Sequence, residues 1–241
     1  MRTEVRQAVT LRLLKGFALL VGDERIALSS SAQQLLAFLA LQGRPRTRAY
    51  VARTLWPEAT TTRANANLRS SLWRALRTEP GIIKASSQEV ALAADIRVDF
   101  HDATARAHKL LDRSTVCEDI LTKQTWDDLS SDLLPEWSDS EWVLLEQEQY
   151  HQLRLYALEA MARRLTAAGR HGEAVAAGLA AVQAEPLRES AHRVLINAHL
   201  AAGNRAEAQH QFEQCRRALR DELGLEPPVA LRELVTQAIL R

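Results

Sequence analysis

The chain has 241 residues, of which 46% are hydrophobic and 25% are charged, with a formal net charge of +1. This composition is typical of one large or two small globular domains and excludes a mini-protein or a disordered tail. There is no apolar run long enough for a membrane span and no signal-peptide pattern, and the two cysteines, Cys117 and Cys215, form no CxxC motif. We therefore expect a cytoplasmic protein with reduced thiols and no membrane partner.

The near-neutral net charge conceals two segments of opposite sign. Residues 44–78 contain eight arginines and a single acid, Glu58, which leaves a net charge of +7. Residues 112–150 contain eleven acids against Arg113 and Lys123, which leaves −9. A basic cluster in a nearly neutral protein indicates a polyanionic partner.

The N-terminal elements are short. Residues 10–28 form two apolar runs separated by a Gly-Asp turn, which predicts an N-terminal hairpin. Three serines at 29–31 offer N-cap hydroxyls to a first helix that ends near Gly43. Thr47 is predicted to cap a second helix, which ends at Trp56 because a proline follows it.

The most informative segment is residues 60–77, which reads TTTRANANLRSSLWRALR. At 100° per residue one face of this helix is apolar and is expected to be buried: Ala64, Leu68, Leu72 and Ala75. The opposite face carries a stripe without any acid: Arg63, Asn67, Ser70, Arg74 and Arg77. Arginine and asparagine suit guanine and adenine edges, and arginine also binds phosphate, so the stripe predicts a DNA recognition helix. The alternative is an ordinary solvated face, although such faces usually mix both charge signs.

A second hairpin follows this helix. Residues 82–84 and 90–92 read as strands joined by Ser86-Ser87-Gln88, so that hairpin, three helices and hairpin make a winged helix-turn-helix. The hairpin tip, with Lys84 and Gln88, is either a contact to a neighbouring DNA backbone or minor groove, or a plain surface turn.

Beyond Arg97 the chain is predicted to be helical, with helices at about 99–111, 140–168, 171–184, 188–202, 205–222 and 228–240. At an offset of 34 residues Gly169 aligns with Gly203 and Ala174 with Ala208. This is the tetratricopeptide period, in which small residues let paired helices approach closely.

The acidic segment 112–139 is predicted to be a turn-rich loop held by tryptophans 126 and 137. The alternative is that the acidic residues form a docking surface for a basic partner.

Signatures of catalysis are absent from the sequence, which has no GxxxxGK[ST], GxGxxG, GxSxG or HExxH. His192 and His199 stand seven residues apart and could share a helical face, but no third ligand accompanies them. We therefore expect no enzyme activity, no cofactor and no metal site.

Six stretches carry a family resemblance: Leu55–Pro57, Asn67–Arg74, Leu133–Trp137, Glu185–His192, Ala202–Ala208 and Glu222–Pro227. Over roughly residues 10–235 the chain resembles the Streptomyces antibiotic regulatory protein (SARP) type with its bacterial transcriptional activator domain (BTAD). The resemblance implies an OmpR-like winged helix-turn-helix fused to an all-α tetratricopeptide-like domain. It also implies a transcriptional activator, often of a nearby biosynthetic gene cluster, that binds direct repeats and contacts RNA polymerase. The chain ends with the activator domain and so resembles the short form of the family.

We therefore expect residues 1–96 to be the DNA-binding domain and 97–241 the activator domain of a sequence-specific, nucleoid-associated DNA-binding activator. The stripe on the third helix would face the major groove of double-stranded DNA, flanked by contacts to the DNA backbone from Arg44, Arg46, Arg48, Arg53, Arg69 and Lys84. Without a leucine heptad, we expect a monomer that pairs on DNA. The rival hypothesis is an interaction adaptor whose winged helix binds protein.

Overall fold

The computed structural model describes residues 8–112, 118–137 and 140–239. It divides into two compact units, which are described separately. The first is built from the described residues up to Asp102 and from Asp132–Tyr150, and the second from Ala103–Ser131 and the described residues from His151 onward. Among the helices of the described residues, none has the length and apolar character needed to span a bilayer.

The first unit combines small sheets with three helices. Its elements are β1 (Val9–Arg12), β2 (Ala18–Val21), β3 (Glu24–Ile26), α1 (Ser30–Gln42), β4 (Arg46–Thr47), α2 (Arg48–Leu55), α3 (Thr61–Thr78), β5 (Ile83–Ala85), β6 (Glu89–Leu92) and β7 (Arg97–Val98). One sheet has the order β3-β2-β1-β7, and the other has the order β4-β6-β5. β7 is parallel to β1, and the other pairs are antiparallel. The predicted winged helix-turn-helix is confirmed.

The predicted N-terminal hairpin is present but incomplete, because residues 9–26 form three antiparallel strands rather than two. The expected Gly-Asp turn joins β2 to β3. A further turn at Lys15 and Gly16, both with positive φ (66° and 125°), separates β1 from β2. Glycine adopts such a backbone readily, whereas lysine does so at a cost, so the lysine gave no turn signal in the sequence.

Helix boundaries in this unit follow the local capping signals. The Thr47 side chain accepts a hydrogen bond from Tyr50 N at the start of α2, and Thr60 accepts one from Arg63 N at the start of α3. α1 ends at Gly43, whose φ of 60° is the left-handed conformation common after helices.

Residues 132–150 belong to the first unit although they lie far along the chain. Lys15 N donates to Asp132 O and Leu134 N donates to Leu13 O, both at 2.9 Å. Trp137 stacks on Phe17, with ring centroids 5.9 Å apart. The segment is therefore fixed to the N-terminal sheet by backbone pairing and aromatic contact.

The second unit contains helices in sequential antiparallel pairs. Its elements include α4 (Asp99–Leu111), which begins in the first unit, α5 (Lys123–Leu129), α6 (Glu141–Ala167), which also begins there, α7 (His171–Ala184), α8 (Glu189–Ala201), α9 (Arg205–Leu223) and α10 (Val229–Ile239). Gly169 and Gly203 both have positive φ (74° and 79°) in the turns after α6 and α8. Ala174 and Ala208 are fully buried. The predicted tetratricopeptide-like arrangement is confirmed.

The acidic segment differs from the predicted loop, because it contains α5 and a short 3₁₀ turn at Glu118–Ile120. Thr122 Oγ1 accepts a hydrogen bond from Thr125 N at the start of α5, and Leu129 and Trp126 pack on the core of the second unit. Trp126 thus packs in the second unit, whereas Trp137 packs in the first. Residues 113–117 and 138–139 of this segment, including Cys117, lie outside the described residues.

Candidate nucleic-acid interface

The buried face of α3 is the one that its periodicity predicts. Ala64, Leu68, Leu72 and Ala75 are each at most 4% exposed. Ser71, on the same face, is also buried. This anchored face fixes the rotation of α3 and so decides which side chains point away from the core.

The predicted stripe lies along the accessible side of α3. Arg63, Ser70, Arg74 and Arg77 are exposed, whereas Asn67 is half-buried. The structure thus places four of the five predicted contact residues at the surface and the fifth at the edge of the core.

Trp73 is a surface residue that the stripe prediction missed. Its side chain is 59% exposed. At 100° per residue, Trp73 lies about 160° from the buried Ala75, so it points almost directly outward. The helical wheel of the sequence already contained this signal, since a tryptophan opposite the apolar face is an exposed aromatic group.

The arginines of the basic segment form no ion pairs with acids of the described residues. Within the described part of the chain, no acid forms an ion pair with any of the eight arginines at 44, 46, 48, 53, 63, 69, 74 and 77. Arginines of the second unit are paired: Arg188 lies 2.6 Å from Glu159, and Arg216 lies 2.9 Å from Glu226. These eight arginines are therefore not neutralised by ion pairs among the described residues, and their charge remains available to an anionic partner.

Two arginines at the C-terminal end of α3 are held by neighbouring groups. Arg74 Nη1 donates to Ser31 Oγ at 3.3 Å, and the Arg77 guanidinium carbon lies 5.2 Å from the centroid of the Trp73 ring. Together with the residues before α1 they line a cleft of about 330 Å³, whose lining is Ala27, Leu28, Ser29, Trp73, Arg74, Arg77 and Thr78.

The six predicted flanking residues fall into two groups. Arg44, Arg53, Arg69 and Lys84 are exposed. Arg46 and Arg48 are half-buried, and the Nε atom of each is buried without a hydrogen-bond partner.

Arg46 faces a cavity within the first unit. Its guanidinium carbon lies 5.1 Å from the Tyr50 ring centroid, and it lines a cavity of about 980 Å³ together with Trp142 and Glu146. Burial raises the pKa of Glu146, and the nearby charge of Arg46 offsets part of that rise. Arg46 therefore has interactions inside the unit that the exposed arginines lack.

The hairpin formed by β5 and β6, which is the wing, is joined to the start of α2. β4 pairs with β6 through Arg46 and Val90, and Arg48 N donates to Gln88 O at 2.8 Å. The Ser86 hydroxyl accepts hydrogen bonds from the backbone at the hairpin tip, where Lys84 and Gln88 are exposed. The wing and α2 thus form one connected element beside α3.

His192, one of the two histidines noted in the sequence, is held by hydrogen bonds on both ring nitrogens. His192 Nε2 lies 2.8 Å from Pro186 O, and Gln211 Nε2 lies 2.8 Å from His192 Nδ1. Both ring nitrogens are therefore already hydrogen-bonded. Among the described residues, no cluster of three or more His, Cys, Asp or Glu side chains could hold a metal ion.

A winged helix with an exposed basic face on its third helix, in a chain that also carries a tetratricopeptide-like unit, is typical of a class of bacterial transcription regulators. A family model, the bacterial transcriptional activator domain, matches residues 98–240. The chain belongs to this family, which consists of transcription regulators rather than enzymes.

Two curated relatives have the same name. Regulatory protein AfsR of Streptomyces coelicolor is 29% identical over 223 residues, which cover 88% of this chain and 22% of that protein. AfsR of Streptomyces griseus is 29% identical over 240 residues, which cover 91% and 23% respectively. The chain thus spans less than a quarter of the length of these relatives.

A solved structure, Mycobacterium tuberculosis EmbR in complex with a low-affinity phosphopeptide, has a similar fold. The TM-score is 0.75 at 18% identity, and the match covers 97% of this chain and 65% of that one. Together with the family match and the AfsR relatives, this confirms the resemblance to the Streptomyces antibiotic regulatory protein type.

Proposed function

We propose that the chain is a sequence-specific regulator that binds double-stranded DNA through α3. The observation that carries this proposal is the exposed, acid-free stripe on α3, in a segment whose arginines form no ion pair with any acid of the described residues. Unpaired guanidinium groups on an anchored helix suit both base edges and phosphates. Arg44, Arg53, Arg69 and Lys84 would add contacts to the DNA backbone around this helix.

We further propose that two copies bind direct repeats as a tandem pair. A single α3 covers too few base pairs to select one site among the ~10⁶ or more competing sites of a genome. A second copy supplies the missing discrimination, with the repeats spaced by about one helical turn, near 10 to 11 base pairs. The protein is a monomer off DNA in this proposal.

The activating half of the function is assigned to residues 97–241 and the DNA-binding half to residues 1–96. Family membership supports activation through RNA polymerase at the promoter of a biosynthetic gene cluster, in the cytoplasm and on the nucleoid. Segment 132–150 packs with the first unit, so the functional division does not follow the compact units throughout.

The test is a selection from a random duplex library with the full chain, followed by affinity measurements at several salt concentrations. A protein that reads bases in the major groove enriches one sequence motif. Its affinity falls steeply as the salt concentration rises, because binding releases cations from the DNA and added salt opposes that release. An adaptor that uses its winged helix to bind protein would enrich no motif.

The tandem arrangement has its own test on the selected operator. Inserting five base pairs between the repeats moves the second site to the opposite face of the duplex and should abolish cooperative binding. Cooperativity that survives the insertion, or a footprint on inverted repeats, would contradict the tandem arrangement while leaving DNA binding intact.

A further inference from the structure

The basic stripe on α3 extends well beyond the N-terminal part of the helix. From Arg63 to Arg77 it rises about 21 Å along the helix axis, and a straight helix stays close to the base edges over only part of such a length because the groove curves around the duplex axis. Recognition helices contact base edges with their N-terminal residues. The C-terminal end of the stripe therefore needs a different partner from the N-terminal end.

The C-terminal end of the stripe lies beside a cleft. Arg74 and Arg77 line the 330 Å³ cleft against the chain that precedes α1. Arg74 is directed to this side by its hydrogen bond to Ser31 Oγ, and Arg77 is directed by its position over the Trp73 ring.

The chemistry of the cleft suits one anion. Its described lining residues include two arginines and the hydroxyl of Ser29 but no acid, while the Thr78 hydroxyl already donates to Arg74 O. Guanidinium groups form strong charge-assisted hydrogen bonds to phosphate oxygens, and a hydroxyl can donate one more. Contacts inside the unit already restrict both arginine side chains, so less rotamer entropy is lost on binding.

We propose that this cleft binds a single phosphate of the DNA backbone and that Arg74 and Arg77 do not read bases. Base reading is then confined to Arg63, Asn67 and Ser70. Trp73 and Ser31 are positioning residues that hold the two arginines toward the phosphate. The inference rests on the proposed function, because it requires that α3 docks on duplex DNA.

The experiment combines charge removal on the protein with charge removal on the DNA. The full chain first selects its best duplex from a random library, and single methylphosphonate linkages then neutralise each backbone phosphate of that duplex in turn. Arg74→Gln and Arg77→Gln are compared with wild type and with Arg63→Gln. Arg193→Gln, which removes an exposed arginine from α8, is the matched control for loss of one charge.

For wild type we expect a loss of affinity at several methylphosphonate positions. In Arg74→Gln and in Arg77→Gln, neutralising one particular phosphate, the same in both variants, should cause no further loss of DNA affinity. The selected motif should be unchanged, and the slope of log affinity against log salt should be smaller by about 0.9. Arg63→Gln should alter the selected motif. In Ser31→Ala and Trp73→Leu, neutralising that same phosphate should cost less affinity than in wild type, and the selected motif should not change.

Two results would overturn the assignment. One is a changed base preference in Arg74→Gln or Arg77→Gln. The other is that neutralising each phosphate in turn still lowers the affinity of these variants as much as it lowers that of wild type. A wild-type protein that selects no duplex would refute the proposed function itself, so the two failures are distinguishable.

Discussion

Gly178 of α7 packs against α8 so closely that an alanine at this position should destabilise the protein. A Cβ built at this glycine would lie 3.0 Å from Leu195 Cα and 3.1 Å from Leu195 Cβ. Replacing a helical glycine by alanine gains up to ~1 kcal/mol of helix propensity. Overpacking of a core contact costs about 1 to 3 kcal/mol, and here the obstructing atom belongs to the backbone, so α8 itself has to move. We expect Gly178→Ala to lower the free energy of unfolding by about 1 to 2 kcal/mol.

Gly172 provides the matched control on the same helix. A Cβ at Gly172 would meet nothing within 4 Å, and its φ is not positive. Gly172→Ala should therefore stabilise the protein by about 0.5 kcal/mol. Urea denaturation of the full chain, followed by far-ultraviolet circular dichroism, measures both changes. The same sign of change in the two variants would refute the reasoning, because the close contact with Leu195 is what should make the alanine at position 178 destabilising.

Three further predictions concern stability and reactivity. Leu72→Ala should lower the free energy of unfolding by ~2 to 5 kcal/mol, since it leaves a cavity under α3. Arg63→Ala should change the free energy of unfolding by less than ~0.5 kcal/mol. Equal effects of the two substitutions in urea melts would contradict the helical register. Burial lowers the pKa of His192, so the folded state binds its proton less readily than the unfolded state, and stability is lost as the pH falls below about 6.5. His192→Leu should reduce this acid sensitivity in melts at neutral and mildly acidic pH, and an unchanged pH dependence would count against the assignment. Burial raises the pKa of the Cys215 thiol to about 11, so in a variant lacking the other cysteine it should react with Ellman's reagent only after unfolding.

The parts of the fold that could be predicted are those set by local sequence. The buried face of α3 follows from a 3.6-residue period, and the turns at Gly169 and Gly203 follow from glycines that adopt positive φ. Six of the seven helices described after residue 97 were also predicted within a residue or two, because proline and glycine mark most of their ends, whereas α5 lies in a segment predicted as a loop.

The missed features depend on contacts between distant residues. Nothing near Trp137 in the sequence indicates that it stacks on Phe17, about 120 residues earlier in the chain. The bond between Arg74 and Ser31 is equally non-local, and it is one basis of our proposal that Arg74 contacts a phosphate rather than a base. Periodicity places a side chain on a face of a helix, but only packing decides what lies beside that face.

Site-specific photo-crosslinking on the selected duplex tests most directly whether α3 is the DNA-reading helix. A photoreactive residue in place of the exposed Ser70 should crosslink to bases of the operator, whereas one in place of Leu179, which is 43% exposed on α7, should not. A protein that still binds its operator specifically but gives no crosslink from position 70 would contradict the account.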